Sequence, residues 1–158
     1  MNKKTLSSIR KARTMHLIDI ENLCMASNPT LEQVIEARRT YMKMMMPGEN
    51  DQFLVTVSSK TNLAAAAFGW VGAEVKCREG HDGADILLAK AILEDHLAER
   101  FDKVVLASGD GGLAPFVQHL TKVLKNVVVV SRPKSTAFAL RVSGAKIRYV
   151  RPQLALAA

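Results

Sequence analysis

The stretch KVVLASGDGG, residues 103–112, determines how the rest of the chain is interpreted. An apolar run typical of a buried strand is followed by a serine, an aspartate and three glycines. Because glycine and aspartate favour turns, the strand is predicted to end near Ala107 and to deliver Asp110 to the edge of a sheet. That carboxylate could cap the next helix, bind a metal, or belong to a glycine turn that cradles a phosphate.

Short apolar runs alternate with helical patterns on both sides of this stretch. Strands are predicted over residues 15–19, 52–57, 73–77, 103–107, 126–130 and 146–150. Helices are predicted over residues 29–46, 62–70, 84–100, 113–124 and 136–142. Continuous apolar strands suit a parallel sheet that is buried on both faces. The alternation therefore predicts an α/β fold, a three-layer sandwich with a mainly parallel central sheet.

The chain has 158 residues, enough for one domain with a sizeable core. We predict a basic segment over residues 1–14, a single domain over 15–151 and a short tail over 152–158. No apolar run approaches the roughly 18 residues of a membrane span. The basic start of the chain is followed by no apolar region of the kind found in signal peptides. We therefore expect a cytoplasmic protein with no membrane partner.

The formal net charge is +7 and the sequence pI is about 9.7. This balance favours polyanionic partners, because basic side chains release counterions from phosphates, although a solvated basic surface gives the same composition. Aromatic residues make up only 5% of the chain, which weighs against a protein that binds single strands mainly by base stacking. Cys24 and Cys77 lack CxxC spacing, so neither a zinc site nor a disulfide scaffold is implied, and we expect two buried or semi-buried thiols.

Acidic side chains stand at the ends of two predicted strands and at the start of a helix. Asp19 ends the first strand, Asp110 follows the fourth, and Asp82 and Asp85 precede or begin the long helix. In an open parallel sheet, ligands bind at the carboxyl ends of the strands, where the strand order reverses. These acids therefore converge if strands one and four are neighbours. Each acid could instead cap a helix, but capping acids would not need to meet at one edge.

Clustered carboxylates repel one another unless a cation lies between them. Their hard oxygen atoms suit Mg²⁺ or Mn²⁺. Such an ion can bind a phosphodiester oxygen, lower the pKa of a water molecule and offset charge on the leaving oxygen. Together with a basic surface, this pattern favours phosphodiester hydrolysis. A nucleotide cofactor is disfavoured, because the glycine turn lacks both the P-loop GK[ST] and the GxGxxG pattern.

Three segments resemble the NYN domain family of the PIN-like nuclease superfamily: HLIDIENL (16–23), DGADILLAKAIL (82–93) and VVLASGDGGLAPFV (104–117). The resemblance implies a three-layer α/β/α Rossmann-like (PIN-like) sandwich with ribonuclease activity. It also implies an acid cluster that binds one or two Mg²⁺ or Mn²⁺ ions. By the resemblance, the metal-binding acids are Asp19, Asp85 and Asp110. Asn22 and Ser108 are implied as supporting residues that orient ligands, water or phosphate.

Two positions depart from the family pattern. Many relatives carry a second acid two residues after the aspartate of S-G-D, where this chain has Gly112. The loss of that acid is compatible with one metal rather than two, with weaker metal affinity, or with lost activity. The position before G-x-D is often lysine and is Asp82 here. Asp82 is therefore an additional candidate metal ligand that would compensate for Gly112.

The sequence thus predicts a metal-dependent endonuclease that hydrolyses RNA phosphodiester bonds through a cluster of aspartates. The alternative is an RNA-binding or regulatory module on the same fold, with reduced or no catalytic activity. DNA stays open as a substrate. A homodimer is compatible with the resemblance, because PIN-like domains often pair. Candidates for contacts with the substrate phosphate, which the sequence does not rank, are Lys60, Arg78 and Lys134.

Other side chains are predicted to have packing roles. Phe68 and Trp70 are expected in the core, and the methionine run within residues 42–46 is expected to pack at a helix end. The four histidines show no metal-ligand spacing. Only His81, beside the acidic turn, is a candidate proton donor.

Overall fold

The computed structural model describes residues 13–151. Of the basic segment predicted over residues 1–14, all but the last two positions lie outside the described residues. The tail predicted over residues 152–158 also lies outside them. Within the described part of the chain, no helix is long and apolar enough to cross a membrane.

Six strands form one all-parallel sheet in the order β3-β2-β1-β4-β5-β6. They are β1 (Thr14–Asp19), β2 (Gln52–Val57), β3 (Glu74–Cys77), β4 (Lys103–Ala107), β5 (Asn126–Ser131) and β6 (Lys146–Tyr149). The chain moves outward from β1 to β3 and then returns to the other side of β1 with β4. The strand order therefore reverses between β1 and β4, where Ile18 pairs with Ala107.

Two helical layers cover the sheet. The helices are α1 (Ile20–Cys24), α2 (Leu31–Met45), α3 (Leu63–Gly69), α4 (Gly83–Glu94), α5 (Leu97–Arg100), α6 (Ala114–Val123) and α7 (Phe138–Arg141). Helices α1 to α3 pack on one face of the sheet, and α4 to α7 pack on the other. This arrangement confirms the predicted three-layer α/β/α sandwich.

The four central strands, β1, β2, β4 and β5, contribute to both layers of the core, because successive side chains point to opposite faces of a sheet. In β1, Leu17 packs with the layer of α4 to α7, while Ile18 packs with the layer of α1 to α3. Val129 and Val130 divide in the same way in β5. Burial on both faces explains why these strands consist of continuous apolar runs.

The bounds of all five predicted helices differ from the structure by one or more residues, and two of these differences have a clear local cause. The helix predicted from residue 29 begins at Leu31, because Thr30 and Gln33 form a capping box: each side chain accepts the backbone N–H of the other residue. The helix predicted over 84–100 is divided into α4 and α5 at His96, whose φ of 51° is left-handed and cannot continue a right-handed helix. The short helix α1 has no counterpart in the sequence prediction.

Phe68 is not in the core, contrary to the prediction. Its side chain is 74% exposed, whereas Trp70 is buried as predicted. Ala66 and Gly69 face inward from α3, and Gly69 lies directly against the side chain of Val34. Because each helical residue turns by about 100°, the two residues between them, Ala67 and Phe68, point outward.

The methionines and cysteines behave largely as predicted. Three methionines of the run pack against the core: Met42, Met44 and Met45. Met46 follows the end of α2 and is 81% exposed. Cys24 and Cys77 are half-buried free thiols.

Candidate functional site

The carboxyl ends of β1 and β4 bring together three acids that the sequence singled out. Asp19 is the last residue of β1, Asp110 lies three residues beyond β4, and Asp85 is the third residue of α4. The carboxyl group of Asp85 interacts with those of both Asp19 and Asp110, and these interactions shift its pKa and that of Asp19. We call these three side chains the acid cluster. It lies where the strand order reverses, which is the usual ligand position in such sheets.

Asp19 is both a helix cap and a member of the acid cluster. Its Oδ1 accepts the backbone N–H of Asn22 at 3.1 Å, at the start of α1. The residue is only 7% exposed. Burial raises the pKa of Asp19 to about 6; the N–H of Asn22 opposes this rise, while the carboxylates of Glu21 and Asp110 add to it.

Asp110 combines the same two roles. Its Oδ1 accepts the backbone N–H of Gly112 at 2.7 Å, which caps the turn after β4. The hydroxyl of the buried Ser108 accepts the N–H of Asp110 at 3.2 Å. The side-chain oxygen of Asn22 accepts the N–H of Gly109 at 2.9 Å. Asn22 and Ser108 therefore hold the loop that carries Asp110.

Asp85 differs from the other two acids because it caps no helix. Its Oδ1 is buried and has no hydrogen-bond partner. The neighbouring groups are carboxyls, and two carboxyls can form a hydrogen bond only when one of them carries a proton. Burial raises the pKa of Asp85 to about 8, assisted by the hydrogen bond and charge of Asp110 and by the charges of Asp19 and Asp82. Such shifted, incompletely paired acids are typical of functional sites.

The glycine of the G-x-D motif determines how close α4 comes to the sheet. A Cβ on Gly83 would lie 1.8 Å from the carbonyl oxygen of Arg78, immediately after β3. No side chain fits in that space. Glycine therefore lets the first turn of α4 lie against the backbone that leaves β3, and this contact positions Asp85.

A second glycine joins the loop of Asp110 to the turn after β5. We call residues 132–138 the basic turn, because it contains Arg132 and Lys134. A Cβ on Gly109 would lie 2.0 Å from the carbonyl oxygen of Ser135, so only glycine fits. The carbonyl of Gly109 also accepts the N–H of Ala137 at 3.0 Å. The basic turn is thus in direct contact with the loop of the acid cluster.

Asp82 lies at the rim of the site rather than within it. Its side chain is 67% exposed and makes no capping hydrogen bond. The exposed imidazole of His81 is 3.9 Å from its carboxylate. A groove of about 680 Å³ lies between α4 and α6, and its lining includes Asp82, Asp85 and Asp110. Its apolar lining consists of Ile86, Ala89, Leu93, Leu113 and Phe116.

Glu21 is a neighbouring acid whose environment the sequence did not reveal. Its carboxylate accepts hydrogen bonds from the N–H and hydroxyl of Ser58 and from the side-chain amide of Asn62. These partners lie 37 and 41 residues away in the chain, so no local motif indicates them. Glu21 is therefore paired by the protein itself, unlike Asp85.

The candidate phosphate contacts lie on both sides of the acid cluster. Lys60 and Arg78 follow β2 and β3, and Lys134 follows β5 on the opposite side of the cluster. All three side chains are exposed. Cationic groups therefore flank the acids at the carboxyl edge of the sheet.

The donor set of the acid cluster fits a hard divalent cation. It consists of carboxylate oxygens, and the buried oxygen of Asp85 lacks a partner. Among residues 13–151, however, no three His, Cys, Asp or Glu side chains are placed to hold one ion together. Coordination of one cation by all three acids therefore requires at least one cluster side chain to rotate from its described position.

Residues 13–148 match a family model described as NYN domain, which confirms the resemblance found in the sequence. The fold is similar to the crystal structure of a protein of unknown function from Vibrio parahaemolyticus. That similarity has a TM-score of 0.62 at 18% identity and covers 90% of this chain and 94% of that chain. At this identity it establishes the fold alone. No curated protein matches the sequence significantly.

Proposed function

This chain belongs to the NYN domain family of the PIN-like nuclease superfamily, and from that premise we propose that it is a metal-dependent endoribonuclease. One observation carries the proposal: three acids meet where the strand order reverses, and the central one has a buried oxygen without a partner. A buried carboxylate oxygen of this kind is costly unless a cation or a donor meets it.

Asp19, Asp85 and Asp110 would hold Mg²⁺ or Mn²⁺, with Asp82 available at the rim. When bound, such an ion supplies Lewis-acid chemistry, because it polarises the scissile phosphate and lowers the pKa of a bound water molecule. The ligands must be deprotonated to bind it, so protons and metal compete for the cluster. Metal affinity is therefore expected to fall in acid.

The remaining residues of the site would keep these ligands in place. The caps formed by Asp19 and Asp110 use only Oδ1 of each carboxylate. The second oxygen of each is left for a ligand, on a side chain whose orientation is already fixed. Asn22 and Ser108 act as positioning residues through the loop that carries Asp110.

The substrate class follows from the charges around the cluster. Lys60 and Arg78 on one side and Lys134 on the other would contact phosphates of a strand that crosses the acids. Such contacts to the phosphate backbone position a strand without reading its sequence. These charges favour a nucleic-acid strand, and since the NYN domain family implies ribonuclease activity, we propose RNA as the substrate.

The test is cleavage of an end-labelled single-stranded RNA with Mn²⁺, with Mg²⁺ and with EDTA, beside DNA of the same sequence. Asp110→Asn keeps an oxygen that can cap the turn but removes the charge. The matched control is Asp95→Asn, which makes the same change just beyond the far end of α4. Metal-dependent cleavage of RNA that is lost in Asp110→Asn and kept in Asp95→Asn supports the proposal. Equal cleavage by the wild type and Asp110→Asn contradicts it.

A second candidate function is an RNA-binding module that does not cleave. It is favoured by Gly112, which supplies no carboxylate where many relatives carry one. Binding of RNA without cleavage, with both metals, would support this candidate and overturn the first.

A further inference from the structure

We propose that Phe138 is a stacking platform for a base of the RNA strand, and that Lys134 and Arg141 hold the phosphates beside that base. The inference rests on the proposed function, because it assigns a place to the nucleotide next to the scissile phosphate. It concerns residues that no motif in the sequence singled out as a base-binding site.

Phe138 is the first residue of α7, and its side chain is 70% exposed. Its position is what distinguishes it from an ordinary exposed apolar residue. The preceding Ala137 donates its N–H to the carbonyl of Gly109, and a Cβ on Gly111 would lie 3.0 Å from the Ala137 side chain. Ala137 therefore adjoins both neighbours of Asp110. The Cα of Phe138 is only about 3.8 Å further along the chain.

The charges around Phe138 fit a nucleotide better than an apolar partner. The guanidinium of Arg141 lies over the Phe138 ring, 5.6 Å from its centroid, so a base would stack on the opposite face of the ring. Lys134, in the basic turn, is exposed. An aromatic face with cations beside it can stack a base and neutralise its phosphates at the same time.

The segment that carries Phe138 is held in place before any strand binds. The guanidinium of Arg132 donates to the carbonyl of Leu23 at 3.0 and 3.2 Å. The carbonyl of Arg132 accepts the N–H of Ser135 at 3.0 Å and the hydroxyl of Thr136 at 2.9 Å. A platform on such a segment loses little conformational entropy when a base stacks on it.

The chain provides its own control for this inference. Phe68 is 74% exposed, similar to Phe138, but it lies on α3 in the opposite helical layer. Both side chains are largely exposed, so neither substitution by alanine is expected to unfold the protein. A difference between Phe138→Ala and Phe68→Ala therefore reports position rather than exposed apolar area.

The experiment measures the affinity of a fluorescein-labelled oligouridine and of an abasic ribose-phosphate strand of the same length. All variants carry Asp110→Asn, so that the strands stay intact with Mg²⁺ present. We expect Phe138→Ala to weaken binding of oligouridine by about 5- to 100-fold. Phe138→Trp should restore most of that affinity, and Phe68→Ala should leave it unchanged. Binding of the abasic strand should not respond to Phe138→Ala, because that strand has nothing to stack.

Lys134→Ala should weaken the binding of both oligouridine and the abasic strand. It should also reduce the slope of log affinity against log salt concentration by about 1. An equal response of the two strands to Phe138→Ala, or no response, overturns the inference. If the wild type cleaves RNA while Phe138→Ala binds oligouridine normally, this inference fails and the proposed function stands. If the wild type neither binds nor cleaves RNA, the proposed function itself fails, and this inference with it.

Discussion

The two ends of β1 carry buried polar groups of opposite character. At the amino end, the ring of His16 has two partners: Nδ1 is 2.6 Å from the hydroxyl of Tyr41, and Nε2 is 2.9 Å from the carboxylate of Asp51. At the carboxyl end, Asp19 and Asp85 face other carboxyls, and one buried oxygen of Asp85 has no partner. The amino end is satisfied by the protein alone, whereas the carboxyl end keeps a buried oxygen that no protein group satisfies, which is where we propose that a cation binds.

The network at the amino end suits a neutral histidine. We assign the proton to Nε2, which donates to Asp51, while Nδ1 accepts from Tyr41. Burial lowers the pKa of His16; the hydrogen bond and charge of Asp51 oppose this effect, and the charge of Lys103 adds to it. The ring of Phe53 stacks on the imidazole with centroids 4.5 Å apart. The comparison implies that changes at this end alter stability and changes at the other end alter function.

The largest expected effect is that of Asp85→Asn. It should lower metal-dependent RNA cleavage by at least about 100-fold, since even partners of metal ligands contribute 10- to 100-fold. Without metal it should preserve or raise the melting temperature, because the raised pKa of Asp85 shows that folding disfavours its charged form, and asparagine is neutral in both the folded and the unfolded state. Cleavage kinetics and thermal unfolding in EDTA measure the two effects. A large loss of stability together with cleavage would mean that Asp85 is a structural residue and would remove the contrast between the two ends.

The opposite result is expected for Asp51→Ala. Its carboxylate accepts from His16 and from the backbone N–H groups of Thr14 and Gly48, all of which would lose their partner. We expect the free energy of unfolding to fall by about 1–3 kcal/mol, with cleavage per folded molecule unchanged. Urea unfolding and a cleavage assay test this, with Asp51→Asn as the variant that keeps an acceptor. Loss of cleavage in a folded Asp51→Ala protein would contradict it.

A smaller effect is expected when the carboxyl end receives another acid. Gly112→Asp should tighten Mn²⁺ binding by about tenfold, because added carboxylate ligands strengthen binding of hard cations. A Cβ at this position would lie 3.2 Å from Oδ1 of Asp110, so a small adjustment accommodates it. Calorimetric titration with Mn²⁺ measures the change.

In the same titration, Asp82→Asn should weaken Mn²⁺ binding if Asp82 compensates for the missing acid at Gly112. Unchanged Mn²⁺ binding and unchanged RNA cleavage would rule that role out.

The smallest effect concerns the pH dependence of stability. Because the folded protein holds His16 with a pKa below its ordinary 6.5, the neutral ring stabilises the fold above about pH 6.5. This contribution is lost as the pH falls through the lowered pKa. His16→Gln should therefore be less sensitive to acid below pH 6.5 than the wild type, while His119→Gln, on the exposed surface of α6, should behave as the wild type. Urea unfolding between pH 7.5 and 5 tests this, and identical slopes for all three proteins would contradict it.

The sequence best predicted those site residues whose positions follow directly from the order and direction of the strands. The positions of Asp19 and Asp110 follow from the rule that parallel strands present their carboxyl ends at one edge, and the G-x-D motif placed Asp85 there too. The network of His16 was not predictable, because Tyr41 and Asp51 lie 25 and 35 residues away in the chain. Such pairs depend on the register of packing and leave no local pattern.

The interruption between α4 and α5 and the exposure of two aromatic side chains could not be predicted from the sequence either. The pattern of α4 and α5 is continuous, and only the left-handed backbone of His96 separates them. Phe68 was predicted to be buried because it is apolar, but its direction depends on which side of α3 meets Val34. Phe138 attracted no prediction, since the role that we propose for it depends on the contact of Ala137 with the loop of Asp110.

The close contact at Gly109 has a consequence for protein engineering. Ser135 leaves no room for a Cβ at this glycine, so the loop and the basic turn can be exchanged only together. A transfer of this site to another α/β scaffold would have to move residues 108–112 and 131–138 as one cassette, from two adjacent parallel strands. Mutant libraries that vary one segment while the other is fixed would mostly contain variants with steric clashes. Libraries that vary both segments together would preserve the contact between Gly109 and Ser135.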